Sequence, residues 1–308
     1  MNREYQLVII GGGPAGLTAG IYAARARLNS LLIERGLMGG LIADAESVEN
    51  YPGFPEGVGG SELGELMHRQ ATKYGLETII AEVTGIELKE EPKKAKTTEG
   101  SFTAKAVIIA SGCQRSKLGV PGEEEFTGRG VSYCATCDAP FFKDRLVAVV
   151  GGGDRAITEA LHLTRFASRV IIIHRRDQLR ATRILQEKAF SEPKIEFLWN
   201  TVVEGIEGIE GKDSLRELRL RQVITSEKST LNTAGVFVCV GFKPNTDYLN
   251  GVLPLDDNGY IITNNKLETE IPGVFAAGDV RHHSAQQAIT AAGDGATAAI
   301  YAQKFITE

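Results

Sequence analysis

Cysteine is scarce in this chain, with four residues in 308. That is too few for the disulfide framework of small secreted domains, and a chain of this length builds a core without one. Apolar runs are short. None approaches the roughly 18 residues of a membrane-spanning helix, and no signal-peptide pattern precedes the stretch Leu7–Ile10. Positive charge is not in excess: 34 Lys and Arg against 39 Asp and Glu leave a net charge of −5. That balance argues against nucleic acid or an anionic membrane as partner. The five histidines do not cluster with the cysteines, so no metal site is expected. These absences leave a cytoplasmic protein of about two domains, at roughly 150 residues each.

The cysteines fall into two kinds. Cys113 and Cys239 adjoin the apolar runs Val107–Ala110 and Val236–Val238 and read as small core residues. Cys134-Ala-Thr-Cys137 is a Cys-x-x-Cys followed at once by Asp138. A zinc site would want a second such pair, which the chain lacks. Two sulfurs at this spacing can close a small reducible ring, and an adjacent acid can give or take a proton as the ring opens. Cys134, Cys137 and Asp138 are therefore the candidate catalytic residues.

Near the start, the branched run Tyr5–Ile10 reads as a buried strand. Gly11-x-Gly13-x-x-Gly16 follows, with Pro14 and Ala15 inside the turn. A helical pattern over Leu17–Arg25 and a second strand, Ser30–Ile33, ending at Glu34 come next. This is the strand–turn–helix–strand setting of a dinucleotide fingerprint. The first glycine permits the turn, the second lets backbone approach a pyrophosphate, and the third lets helix and strand pack. Glu34 lies 18 residues beyond Gly16, where a carboxylate meets ribose hydroxyls. Gly39-Gly40 and Glu49-Asn50-Tyr51-Pro52-Gly53 read as loops, and Ser61–Tyr74 as a helix with Ser61 at its N-cap. Leu76–Glu90 and Ser101–Ala110 read as strands, and the charged stretch between them as a solvated turn.

A second copy follows the cysteines. Leu146–Val150 is another buried strand, Gly151-x-Gly153-Asp154-Arg155-Ala156 opens a helix, and Val170–Ile173 ends at His174-Arg175-Arg176, with Arg180 shortly after. Gly11 to Glu34 and Gly151 to His174 both span 23 positions. Where the first copy presents an acid, the second presents cations, and Arg binds phosphate bidentately. The first copy therefore suits FAD or NAD and the second NADPH. Arg155 stands where small residues are usual, and either contacts the pyrophosphate or obstructs it. Asp154 either pairs with it or caps the helix. Four further segments, Ile195–Thr201, Glu204–Ile209, Leu215–Val223 and Gly235–Val240, read as strands of an antiparallel layer over the sheet.

The last segment carries Gly273-Val-Phe-Ala-Ala-Gly278-Asp279, then Gln286-Gln287-Ala288 opening an Ala-rich helix to Phe305. It is too short to fold alone and completes the first unit. The expected fold class is α/β, with two Rossmann-like three-layer nucleotide-binding domains, the second inserted into the first. The boundaries are residues 1–115 with 244–308, and 116–243.

These motifs resemble those of bacterial low-molecular-weight thioredoxin reductases along essentially the whole length. The carriers are Gly11–Gly16, Glu49–Gly53, Cys134–Asp138, Gly151–Gly153 with His174–Arg176, and Gly273–Asp279. The resemblance implies FAD on Gly11, Gly13, Pro14, Ala15, Gly16, Glu34, Arg35, Gly39, Gly40, Asn50, Asp279, Gln287 and Ala288. It implies NADPH on Gly151, Gly153, Asp154, Arg155, Ala156, His174, Arg175, Arg176 and Arg180. It further implies thioredoxin or a thioredoxin-like protein as partner, a homodimer, Cys137 against the flavin, Cys134 exchanging with thioredoxin, and Asp138 handling the proton. The family rotates its domains about two linkers, here near Ser116–Gly122 and Gly241–Asn245. Leu41, Arg155 and Gln286 depart from the pattern, where glutamine, a small residue and arginine are usual. They bear on the electron donor, so a thioredoxin reductase-like enzyme fed by ferredoxin or another flavin is the alternative. A ferredoxin-NADP reductase of this architecture lacks the cysteine pair.

Overall fold

The computed structural model describes residues 3–45, 47–208, 215–249 and 251–308. The chain divides into two compact units, Met1–Gln114 with Lys243–Glu308, and the contiguous Arg115–Phe242. The first unit opens on β1 (Arg3–Ile10), turns through the glycines into α1 (Pro14–Arg25), and returns as β2 (Ser30–Glu34). Pro14 sits in the first turn of α1, where its missing N–H has no intrahelical partner to lose. Helix α2 (Gly60–Lys73) leads to β3 (Glu77–Ile80), β4 (Val83–Glu87), β5 (Lys93–Thr97) and β6 (Gly100–Ile109). The sheet order is β3-β2-β1-β6-β5-β4. Strands β1, β2, β3 and β6 are parallel, while β4 and β5 add an antiparallel flank.

The chain leaves this unit through β7 (Cys113–Arg115). The second unit then runs β8 (Val131–Ser132), α3 (Ala135–Asp138), β9 (Leu146–Val150), α4 (Asp154–Leu163), β10 (Arg169–Ile173), α5 (Arg183–Ser191) and β11 (Ile195–Leu198). It continues through β12 (Thr201–Gly208), β13 (Leu215–Gln222), β14 (Lys228–Asn232) and β15 (Gly235–Val238). A parallel sheet of order β11-β10-β9-β15-β8 carries the unit, and β12-β13-β14 form a separate antiparallel sheet. The chain returns through β16 (Phe242–Pro244), which pairs with β7. Strand β17 (Val274–Ala276) joins the first sheet beside β6, and α6 (Ala288–Thr307) ends the chain.

Alternation along the central strands builds a core on each face of each sheet. In β1, Leu7 and Ile9 join one buried cluster with Leu17, Leu32 and Phe275, while Val8 and Ile10 join another with Leu31, Ile33 and Ile261. In β9, Val147 and Val149 pack with Ile157 and Leu163, while Ala148 and Val150 pack with Ile206 and Leu218. A strand covered on both faces needs apolar residues at every position, which is why these runs lack polar interruption. Each fully buried Leu or Ile contributes about 1.5–3 kcal/mol, so these strands fix where the turns at their ends emerge.

Three expectations on local structure need correction. The charged stretch after Glu90 is not a solvated turn, because Lys93–Thr97 forms β5 between β4 and β6. Lys93 there is 2% exposed, with its ammonium donating to Glu91 Oε1 at 2.7 Å and to the Leu88 carbonyl at 3.4 Å. Ser61 is not the N-cap of α2, whose cap is Gly59, with no side-chain capping bond. The segments at Ile195 and Gly235 enter the parallel sheet rather than the antiparallel layer, where β14 takes part instead. Ile209, expected to end a strand, lies outside the described residues.

Candidate functional site

The cysteine pair is joined as a disulfide, with Cα atoms 5.4 Å apart. Strand β8 delivers the chain to Cys134, which caps the single turn of α3, and the Cys137 N–H donates to Cys134 Sγ at 3.2 Å. Ser132 Oγ accepts from the Cys134 N–H at 3.0 Å and donates to the Cys134 carbonyl at 3.2 Å. Cys134 is 7% exposed, whereas Cys137 is open to solvent. Asp138 follows on the same turn, half-buried, with its carboxyl unengaged among the described residues. Three residues on, Phe141 is 79% exposed, a large apolar surface beside the disulfide that nothing in the sequence pattern singled out.

The second glycine turn sits in the same unit. Gly151 has φ +151°, and a Cβ there would stand 2.4 Å from the Cys239 carbonyl oxygen. Gly153 caps α4 and faces open space, since a Cβ there would meet nothing within 4 Å. A blocked first glycine and an open third position at a helix start fit a bound pyrophosphate. Ala156 is buried under the turn.

The cations sort differently from the expectation. His174 is 5% exposed, packed under Gly152, with Nε2 at 3.0 Å from the Gln178 carbonyl. Burial first, then the charges of Arg180, Arg176 and Arg175, holds its imidazole below the usual histidine range. It shapes the floor and presents no charge. Arg175, Arg176 and Arg180 are exposed, and none has a side-chain partner among the described residues. The Arg180 N–H donates to the Gly152 carbonyl at 2.7 Å, which ties it to the glycine turn. These three fit a 2′-phosphate. Asp154 neither pairs with Arg155 nor caps α4, since its Oδ1 accepts the Thr182 N–H at 2.7 Å. Arg155 donates through Nε to Glu159 and through Nη2 to the Tyr133 carbonyl.

In the first unit, Gly11 repeats the blocked geometry, with φ +110° and a Cβ position 2.2 Å from the Ala110 carbonyl oxygen. Gly13 is open, since a Cβ there would meet nothing nearer than 3.9 Å. Glu34 Oε2 accepts the Gly12 N–H at 2.6 Å and Oε1 the Gly36 N–H at 2.8 Å, which aims the carboxylate at the turn with lone pairs to spare for ribose. Arg35 is exposed beside it, and the Gly39 N–H donates to the Gly12 carbonyl at 2.8 Å. Gly40 starts a short 3₁₀ turn that carries Leu41 half in solvent. Asn50 Nδ2 donates to Gln287 Oε1 at 3.0 Å, joining two expected sites across 237 positions. Gln287 caps α6, with Ala288 its first residue.

Asp279 lies in a 3₁₀ turn and accepts from Ser284 Oγ at 3.1 Å, with its carboxyl raised above the usual range by burial. Asp294, absent from the sequence expectations, holds this turn. It accepts the Gly278 N–H at 3.0 Å and pairs with Arg281 through Nε at 2.5 Å and Nη2 at 3.0 Å. Gln286, at φ +55°, donates through Nε2 to Tyr260 Oη at 3.2 Å. The Cys113 thiol is buried, contacts the Asp279 carbonyl at 3.1 Å, and is pushed up to about 12 by burial and then by the Asp279 charge. It is inert, as expected of a core cysteine. Cys239 is also free, partly buried, and its thiol is raised by burial. The described residues hold no cluster of three or more His, Cys, Asp or Glu able to take a metal ion.

Two Rossmann units with matching glycine turns, one carrying a redox disulfide, define a nucleotide-dependent disulfide oxidoreductase. The chain belongs to the pyridine nucleotide-disulphide oxidoreductase family, whose model matches residues 5–295. It is 46% identical over 307 residues to the thioredoxin reductase of Bacillus subtilis (strain 168), covering 100% of this chain and 96% of that protein. The crystal structure of Lactococcus lactis thioredoxin reductase superposes with a TM-score of 0.96 at 44% identity, covering 98% of this chain and 99% of that one. That of T. acidophilum thioredoxin reductase gives 0.94 at 33% identity, with 100% of both chains covered.

Proposed function

We propose that this protein reduces the disulfide of thioredoxin, taking electrons from NADPH through FAD to Cys134–Cys137. The balance is one NADPH and one proton consumed per thioredoxin disulfide opened. The observation that carries the reading is the disulfide at the start of α3, in the same unit as an open phosphate turn flanked by three arginines with no side-chain partner among the described residues. When bound, FAD accepts hydride from the nicotinamide and passes the electron pair on to sulfur.

The protein's own residues do the rest. Gly11, Gly13 and Gly16 let the first unit approach a pyrophosphate, Glu34 holds ribose, and the Asn50–Gln287 pair and Asp279 line the remainder of the FAD site. Arg175, Arg176 and Arg180 select NADPH over NADH. Asp138 gives and takes the proton as the ring opens and closes. Arg155, turned onto Glu159, leaves the phosphate turn clear. That removes one reason for seeking another electron donor. The enzyme works as a cytoplasmic homodimer, and no described helix is long and apolar enough to cross a membrane.

Anaerobic titration with NADPH tests the reading. The flavin should bleach, and added thioredoxin should then be reduced, with Cys134→Ser and Cys137→Ser each abolishing the second step. A flavin that NADPH leaves oxidised sinks the donor assignment.

A further inference from the structure

Two residues outside this electron path hold the disulfide from behind. Arg155 and Glu159 stand one turn apart on α4, with Arg155 Nε donating to Glu159 Oε1 at 2.8 Å and side chains 23% and 13% exposed. Their remaining atoms reach the backbone on both sides of Cys134. Arg155 Nη2 donates to the Tyr133 carbonyl, and the Ala135 N–H donates to Glu159 Oε2 at 2.8 Å. The guanidinium also lies over the Phe242 ring, 5.6 Å from its centroid. With the Ser132 bonds, every peptide group adjoining Cys134 is tied down. Helix stability does not explain the pair, because the basic residue precedes the acidic one, the weaker order on a helix. Arg155 turns Nε to Glu159 and Nη2 to the Tyr133 carbonyl, so at least these two donors face the Cys134 backbone.

We propose that Arg155 and Glu159 are positioning residues for the redox couple, fixing the Cys134 backbone in its ring-closing conformation. Two thiols held ready to join lose little further freedom when the bond forms, so the frame favours the disulfide over the dithiol. This rests on the reading of Cys134–Cys137 as the catalytic disulfide.

The test is the equilibrium of the purified holoenzyme with dithiothreitol, without NADPH or thioredoxin, read by thiol alkylation and mass spectrometry. In that exchange the Cys134–Cys137 bond breaks, two electrons and two protons pass to the cysteines, and dithiothreitol closes to its cyclic disulfide. Repeating the measurement at two pH values separates the frame's contribution, which does not change with pH, from any action of the Glu159 charge on a thiolate. Arg155→Ser and Glu159→Ala should each shift the equilibrium about tenfold toward the dithiol, the scale of one charge-assisted hydrogen bond. Arg155→Lys keeps the cation and a donor and should fall between wild type and Arg155→Ser. It carries the test if the truncations fail to fold.

An unshifted equilibrium overturns the proposal. So does a variant that only melts earlier, or an Arg155→Ser that raises KM for NADPH and leaves the equilibrium alone. Failure of the wild type to reduce thioredoxin would instead sink the proposed function, since the dithiothreitol equilibrium needs neither nucleotide nor partner.

Discussion

Replacing Arg176 or Arg180 with Ala should cost NADPH and spare NADH. Both side chains are exposed, without a side-chain partner among the described residues, and stand beside a glycine turn whose outer face is open. A charge-assisted hydrogen bond to phosphate is worth about 1.5–3 kcal/mol net, or roughly 10- to 150-fold in affinity. Exposure and salt screening place these groups at the low end, about tenfold each. Because both would bind one phosphate, the double variant should fall short of the ~100-fold product. The measurement is the rate of flavin reduction at limiting nucleotide, with NADPH and NADH compared at low and high salt. NADPH should lose its advantage and its salt dependence, while the NADH rate stays within about twofold. Equal losses for both nucleotides, or none for NADPH, would refute the assignment. His174, buried beneath Gly152, makes the internal contrast, since His174→Gln should leave the NADPH-to-NADH ratio unchanged.

Three further outcomes are expected. Gly16→Ala would set a Cβ 1.8 Å from the Gly11 carbonyl oxygen, so the purified variant should come off the column with its flavin absorbance largely lost, while Gly85→Ala, with open space around it and no left-handed backbone, should keep FAD. The His174 imidazole is held below 6.5 by burial, whereas an unfolded chain takes its proton near 6.5. The stability gained by keeping it neutral is therefore full above that value and declines as pH falls through the folded pKa, and the melting temperature of His174→Gln should change less than that of wild type between about pH 7 and 5. Phe141→Ala, removing a side chain 79% exposed beside the disulfide, should raise KM for thioredoxin several-fold without slowing flavin reduction by NADPH; an unchanged KM would remove Phe141 from the docking surface.

What the sequence disclosed is what local chemistry decides. The glycine turns, the strands feeding them and the Cys-x-x-Cys ring are each set within a few consecutive residues, and the structure forms them at those positions. Arg155 was opaque for the opposite reason. Its location suggested the phosphate, but its partners are a carboxylate one turn on and a backbone carbonyl 22 positions earlier, and carbonyls leave no mark in a sequence. Asp294 was hidden in the same way inside an Ala-rich helix, where nothing announced that it would hold Gly278 and Arg281. The error at Lys93 was of another kind. The alternation was present, with Lys93 and Ala95 buried while Lys94 and Lys96 face outward toward Glu87, but three lysines in four positions read as solvated. His174 sits at a position where a side chain can meet ribose, and only the closeness of its ring to Gly152 shows that it is structural.

The ladder formed by β7 and β16 bears on how such a protein can be taken apart. The inserted unit starts and ends within these two strands, and paired strands lie only about 5 Å apart. Its ends are therefore neighbours, as the ends of a transplantable module should be. A short glycine-serine bridge from Gln114 to Lys243 would close the outer unit across the excision, and residues 115–242 could be grafted whole into a relative. Recombination acting on either seam would keep both folds intact, a route by which one flavin-binding frame can acquire different reductive partners.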